Sequence, residues 1–367
     1  MVTYSRQSLA RYFLRLGATG FGGPVVLVEA MHRDLVTARQ WVSEEEYREG
    51  MALAQLSPGP LAAQLCFYLG FLRGGVAGAA LSGAAFVLPS FVMVVGLGWA
   101  YVRFGGLAWM QAVFYGVGAA VIGLIARSAA RLARSTLGRD PLLWGICLLL
   151  GLVTALTARE NVWLILLAGL LFRLIRAPPA WLRSGGTAPE AGSLLLLVKL
   201  AGFFAYAGSF VFGSGLAIVP FLHGGLVVER HWLTERQFID AVAVALITPG
   251  PVVITTGFIG FLIAGLPGAC VAAAATFLPA FLLTVLPAPY VHRYSQVIWL
   301  KLAVKGITAA ATGTIVGAVF VLGRQTLVDR ATVAIAVATF VLCWLPRKAP
   351  EPLLVLAAAA AGLLLRG

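Results

Sequence analysis

Slid along itself by 191 residues, the chain meets itself again. Phe21-Gly22 falls on Phe212-Gly213, Trp41 on Trp232, Ser43-Glu44 on Thr234-Glu235, and Pro58-Gly59-Pro60 on Pro249-Gly250-Pro251. One residue then drops out. At an offset of 190, Gly70-Phe71-Leu72 meets Gly260-Phe261-Leu262, Leu88-Pro89 meets Leu278-Pro279, Trp109 meets Trp299, and Arg134 meets Arg324. Leu and Ala alone would align any two apolar stretches; a single register that aligns Trp, Pro and Gly needs a true repeat. The chain therefore reads as two copies of one unit, about 1–185 and 190–367. Residues 176–190 between them are rich in Pro and Gly and read as an exposed connector.

Composition says what solvent the repeat folds in. The chain has 367 residues, 60% hydrophobic and 11% charged, where soluble domains carry about 25% charged residues. Only lipid can accommodate that much apolar surface. The formal net charge is +13, which in a membrane protein reflects basic cytoplasmic loops rather than nucleic-acid binding. Cys66, Cys147, Cys270 and Cys343 sit apart in apolar runs and read as packing residues, with no metal spacing. The N-terminus lacks the ordered parts of a cleavable signal, so the first apolar segment is expected to remain.

Candidate membrane segments are 8–30, 44–72, 76–102, 109–132, 141–157 and 160–176, and again 194–222, 235–263, 268–290, 297–322, 331–346 and 352–365. The last two of each half are short for a bilayer core that needs about 20 residues. They are expected to pair as thin or tilted helices. Arg127, Arg131, Arg134 and Arg139 form one basic cluster, and Arg173, Arg176 and Arg183 another; the positive-inside rule puts both in the cytoplasm. The matching second-half loop is less basic, as oppositely oriented halves would make it. The fold class is thus an all-α integral membrane protein of two homologous halves. Each has about five to six membrane segments, arranged as inverted repeats with discontinuous or re-entrant helices at Pro-Gly-Pro.

Both halves break their helices at matching points. Ser43-x-x-Glu46 and Thr234-x-x-Gln237 are capping boxes that start a helix just after an interfacial Trp. From Glu44 to Ser57 there is length for about 21 Å of helix, too little to cross. Then Pro58-Gly59-Pro60, or Pro249-Gly250-Pro251, removes two amide donors and permits a turn. A new helix starting there would leave free amides at Leu61, Ala62 and Ala63, and at Val252, Val253 and Ile254. Such backbone is tolerated in a membrane only within protein or beside a wet cavity, and a helix N-terminus there favours an anion. A second break, at Gly20-Phe21-Gly22-Gly23-Pro24 and Phe212-Gly213-Ser214-Gly215, either exposes further amides or serves close helix packing. Gln55, Ser57, Gln64, Thr248, Thr255 and Thr256 stand near the breaks as side-chain donors.

Phe21-Gly22-Gly23-Pro24, the Trp-Val-Ser-Glu stretch from Trp41, and Leu56-Ser57-Pro58-Gly59-Pro60, with weaker copies in the second half, resemble the chromate ion transporter family of the two-domain type. The resemblance covers nearly the whole chain. It implies halves of opposite orientation, chromate efflux that confers resistance, and sulfate as a structural analogue, in a bacterial plasma membrane. The second half departs from the pattern, with Ser214-Gly215 where the first has Gly23-Pro24. The residues point to a small anion; the resemblance supplies chromate.

Other charges have milder readings. Glu29 is placed to pair with Arg33 one turn on. Glu49 and Asp240 are repeat equivalents that could carry a coupling proton, or simply lie at the interface. Lys301 and Lys305 either attract the anion or snorkel. His32, His223, His231 and His292 fall near loops and receive no chemistry. Clustered acids, a Ser/His pair, a metal motif and a Walker A sequence are all missing, so the chain does not read as an enzyme and calls for no cofactor. Secondary transport of a tetrahedral dianion is the leading reading, with a sulfate-type uptake or exchange carrier, or a channel, as alternatives. The expected partners are the anion and lipid, with a homodimer left open and no nucleic acid.

Overall fold

A computed structural model describes residues 5–21, 23–104, 107–138, 140–157, 193–209, 211, 218–290, 298–344 and 351–366. Every regular element among them is helical. The first half contains α1 (Arg6–Thr19), α2 (Gly23–Met31), which runs on as a π-helical stretch His32–Ala38, α3 (Glu44–Leu56), α4 (Leu61–Phe104), α5 (Ala108–Leu137) and α6 (Pro141–Thr157). The second contains α7 (Ser193–Gly208), α8 (Ile218–His223) with its π-helical extension Gly224–Glu229, and α9 (Glu235–Ile247). A short 3-10 turn, Val252–Ile254, leads into α10 (Thr255–Val285), and α11 (Ile298–Thr326), α12 (Arg330–Leu342) and α13 (Glu351–Arg366) follow. The connector 176–190, the candidate span 160–176, Arg139, Arg173, Arg176, Arg183 and His292 lie outside the described residues.

The helices start where capping chemistry lets them. Ser43 Oγ accepts the Glu46 amide at 3.1 Å while Glu46 accepts the Ser43 amide at 2.8 Å. Thr234 and Gln237 repeat the exchange at 3.2 and 2.9 Å. Each box satisfies amides that a helix start would otherwise leave unpaired.

In the first half, neither of the first two candidate spans forms one straight helix; each brings its ends together. Tyr68 donates to Glu49 at 3.0 Å, although collinear helices would hold residues 19 apart about 28 Å from each other. So α3 and residues 61–73 of α4 form a hairpin with Pro58-Gly59-Pro60 at its tip. Likewise Tyr12 donates to Asp34 at 3.4 Å, and Arg39 lies over the Tyr12 ring. Hence α1 and α2 also run out and back. The bases of the two hairpins are joined by His32 and Glu44, 2.8 Å apart, and in the second half by His223 and Glu235 at 2.7 Å. The Glu29–Arg33 pair expected from spacing does not form. Arg33 bonds Asp34 instead, because π-helical winding from His32 onward shifts the four-residue stacking.

The long helix α4 is itself two limbs. Gly74 (φ −156°, ψ 17°) and Gly75 (φ 59°, ψ −148°) interrupt it. A Cβ on Gly78 would strike the Gly70 carbonyl, so the chain reverses there and residues 76–104 form a separate rod. Ala264 and Gly265 do the same in α10, with Gly260 against Gly268.

The contacts along these rods show the inversion. Arg6 and Trp41 meet Arg73 at the start of the first rod. Tyr101, near that rod's far end, bonds Asp240, which lies early in α9. Phe67 packs on Phe281 while its repeat counterpart Gly257 packs on Phe91, so the two rods run antiparallel. The first-half hairpins thus enter from one face, called here the first face, and those of the second half enter from the other.

The remaining helices exchange between halves. α6 lies on α11, where Gly151 and Gly313 bring the backbones together, and Gly317 meets Thr154. α12 and α13 both lie on α5, through Gly123 against Ala336 and Gly116 against Ala358. The short helices therefore use the other half's long helix as a partner. Small residues drive that choice, because they allow backbone approach where lipid offers no hydrophobic incentive. Arg127, Arg131 and Arg134 fall within α5 itself rather than in a loop, with Arg127 buried and Arg134 stacked on Trp344. Leu88 and Val92, and Leu148, Leu152 and Leu156, form exposed apolar stripes of the kind lipid covers. At each face an arginine lies over two aromatic rings: Arg39 on Tyr12 and Trp41, Arg230 on Phe203 and Trp232.

Candidate functional site

The hairpin tips meet at mid-depth, and the two halves exchange hydrogen bonds there. The Gly59 amide donates to the Val211 carbonyl at 2.5 Å, and the Gly250 amide to the Gly20 carbonyl at 2.8 Å. Val211 is the repeat counterpart of Gly20, as Gly250 is of Gly59, so one contact is made twice with the halves exchanged. Each Pro-Gly-Pro turn of one half therefore rests on the first break of the other. Both glycines have positive φ, 145° at Gly59 and 94° at Gly250. A Cβ at Gly59 would lie 2.6 Å from the Ala280 Cβ, and one at Gly250 would collide with Ser90 Oγ. Only glycine meets both the angle and the space.

Beyond these turns the two halves differ. α4 starts directly at Leu61, and among the described residues nothing accepts the amides of Leu61, Ala62 and Ala63; the first helix bond is from Gln64 to Pro60. In the second half, Val252, Val253 and Ile254 form a 3-10 turn, so the Ile254 amide is taken by Pro251 and the α-helix is delayed to Thr255. The β-branched run disfavours an α-helical start that Leu-Ala-Ala accepts. Exposure differs too. Gln55 is exposed, and Ser57 and Pro58 are half-buried where Thr248 and Pro249 are buried; Gly59, Pro60, Gly250 and Pro251 are all buried, and Leu61 and Val252 are both half-buried.

Most of the anticipated side-chain donors are engaged locally. Thr248, Thr255 and Thr256 donate to the carbonyls of Val244, Val252 and Val253, and Ser57 donates to Leu283 at 3.2 Å. Hydroxyls inside membrane helices commonly bond back to the preceding turn. Gln64 is fully buried, and its Nε2 donates to the carbonyls of Ser57 and Pro58 at 3.3 and 2.9 Å. Its Oε1 is buried with no partner among the described residues. Gly23 opens α2; Gly22, Gly213, Ser214 and Gly215 lie outside the described residues. Lys301 is in the second turn of α11, its side chain outside the described atoms, and Lys305 is exposed.

What remains is backbone. A helix N-terminus with three unspent amides, half-buried at Leu61 and buried at Ala62 and Ala63, offers partial positive charge to a compact anion. Among the described residues no cluster of His, Cys, Asp and Glu could hold a metal.

Residues 7–173 and 198–363 each match the family described as chromate transporter. The chain belongs to the chromate transporter family. A chromate transport protein of Cupriavidus metallidurans is 58% identical, over 98% of this chain and 93% of its own length. A probable chromate transport protein of Synechococcus elongatus is 56% identical, over 98% and 96%. A chromate transport protein of Pseudomonas aeruginosa is 32% identical over 73% of this chain and 69% of its own. No solved structure matches. This chromate transporter family member is an integral membrane protein of two like halves, and its relatives are named for transport rather than for an enzymatic reaction.

Two parts of this arrangement went unread in the sequence. The His32–Glu44 and His223–Glu235 ties could have been found, because the 191-residue register lays one pair on the other. Tyr101 has Val291 as its counterpart, so no repeat signal pointed to it.

Proposed function

We propose that the chain exports chromate from the cytoplasm as a gradient-driven carrier of the bacterial plasma membrane, and so confers chromate resistance. The free amides of Leu61, Ala62 and Ala63 at the meeting point of the hairpin tips carry this reading. The names of the relatives supply chromate. The first face carries Arg6, Arg39, Arg48, Arg73 and the basic end of α5, which favours that face as cytoplasmic. Sulfate has the same charge and shape as chromate, so backbone amides would admit it as a competitor. The inverted arrangement suits a carrier, since each half can open its own face while the tips stay in contact.

Inside-out vesicles containing the chain should accumulate chromate under an imposed gradient, without ATP, and sulfate should inhibit. The double variant Pro58→Ala, Pro249→Ala should insert normally and lose the flux. Full flux in that variant would remove the tip amides from the mechanism. Vesicles that take up sulfate but never chromate would overturn the substrate.

A further inference from the structure

Glu49 and Asp240 occupy equivalent places in the two halves, and each accepts a hydroxyl from a tyrosine. The routes differ. Tyr68, on the same hairpin as Glu49, donates to it at 3.0 Å. The counterpart of Tyr68 in the second half is Phe258, which has no hydroxyl. Tyr101 fills the gap from the other half: its ring stands edge-on to Phe258, with centroids 5.8 Å apart, and its hydroxyl reaches Asp240 at 2.7 Å. The second-half hairpin thus takes from outside the hydroxyl that the first-half hairpin supplies itself.

Asp240 is 3% exposed, and it lines a cavity of about 430 Å³ toward the second face, together with Tyr115, Arg236, Gln325 and Arg366. The charged and titratable groups around it are few. Arg236 stands one turn earlier on α9 and is exposed. Glu235 is engaged by His223 and Gln325. Tyr115 on α5 and Arg366 on α13 both bind Asp329, which precedes α12. Tyr101 from α4 is thus the one group bonded to the carboxylate among the described residues. An ionisable side chain inside a membrane is costly to keep, and such residues mark proton and ion pathways.

We propose that Asp240 is the proton-binding group that couples transport to a gradient, reached from the second face, with Tyr101 as its positioning residue. This rests on the transport reading above. A proton from the outer medium adds to an Asp240 carboxylate oxygen through the cavity; when the carrier opens to the first face that O–H bond breaks and the proton passes to the cytoplasm, so that a proton moves inward for chromate moved outward. The change in charge alters the bond to Tyr101, which ties the second-half hairpin to the first-half rod. At the other end of α9 is the Pro249-Gly250-Pro251 turn, whose Gly250 amide holds Gly20. One rigid helix therefore links the protonation site to the tips.

The test uses the full chain in proteoliposomes, with three readouts: chromate–chromate exchange at equal pH, accumulation driven by a pH gradient, and proton movement followed by an entrapped dye. Asp240→Asn should keep exchange and lose about tenfold or more of the driven accumulation, together with its proton signal. Tyr101→Phe should keep exchange while the pH profile of driven flux moves up by about one unit, because the phenol favours the ionised carboxylate. Retained exchange shows that the variants fold. Driven accumulation with normal proton movement in Asp240→Asn overturns the inference. In the unaltered chain, exchange at equal pH together with no accumulation and no proton movement under the pH gradient overturns it too, and leaves the transport reading intact. Absence of chromate exchange in the unaltered chain sinks the transport reading and the coupling with it.

Discussion

Single residues decide the centre of this molecule, and the glycines of the two turns decide most. Gly59 and Gly250 must each supply a positive φ, a donor to the opposite half and the absence of a Cβ. Alanine satisfies only the donor requirement. Gly59→Ala is expected to lower stability by at least about 1 kcal/mol, and to reduce flux further than stability alone would. Thermal unfolding in detergent and vesicle flux measure the two effects; an alanine variant with unaltered melting and flux would contradict the close approach. The same scale shows where the hydroxyls beside the breaks are engaged. Thr255 and Thr256 look in sequence like hydroxyls beside an anion site, but a carbonyl three residues back is always within reach of a threonine on a helix. Only the backbone path reveals which acceptor wins.

At the scale of elements, the broken helix is the unit of construction, and caps define its ends. Ser43 and Thr234 do so at hairpin bases. Asp329 does so for α12, where it accepts the Thr332 amide and binds Tyr115 and Arg366. The Tyr115 hydroxyl, then the Thr332 amide, hold the Asp329 carboxyl down at about 2. A carboxyl depressed in the folded state adds stability above its unfolded value of about 4. That contribution is lost as pH falls toward the folded value. Asp329→Asn should therefore melt earlier than the unaltered chain near neutrality, and the gap should close between about pH 4 and pH 2. A gap that stays constant over that range would show that the carboxylate charge contributes nothing. Ser43→Ala should cost about 1 kcal/mol through the lost cap, measured by thermal melting. The capping boxes and the interruption at Pro-Gly-Pro were readable because their chemistry is local. The fold-back of α3 onto residues 61–73 was only one of the readable options, since a kinked crossing and a hairpin use the same Pro and Gly.

For the whole molecule, inversion is the property from which transport follows. It places equivalent hairpins at opposite faces with their tips in contact. Glu45, beside the first capping box, and Val328, ahead of α12, are both exposed and lie at opposite faces. Cysteine at each, in a Cys270→Ala background because Cys270 is the exposed native thiol, should react with an impermeant maleimide from opposite sides of the membrane. Labelling of both from one side would refute the inverted arrangement.

The sequence alone determined the solvent, the duplication and the positions of the breaks. Each of these is written in composition, in self-similarity or in residues whose backbone options are few. It could not determine that the Gly59 and Gly250 amides are spent on the opposite half, that Pro58 is half-buried where Pro249 is buried, or that Tyr101 supplies the hydroxyl Phe258 lacks. Those depend on which surfaces meet across a distance of many residues, and in lipid that choice is made by shape. Small residues and complementary hydrogen bonds select the partner there, and neither leaves a periodic trace in the chain.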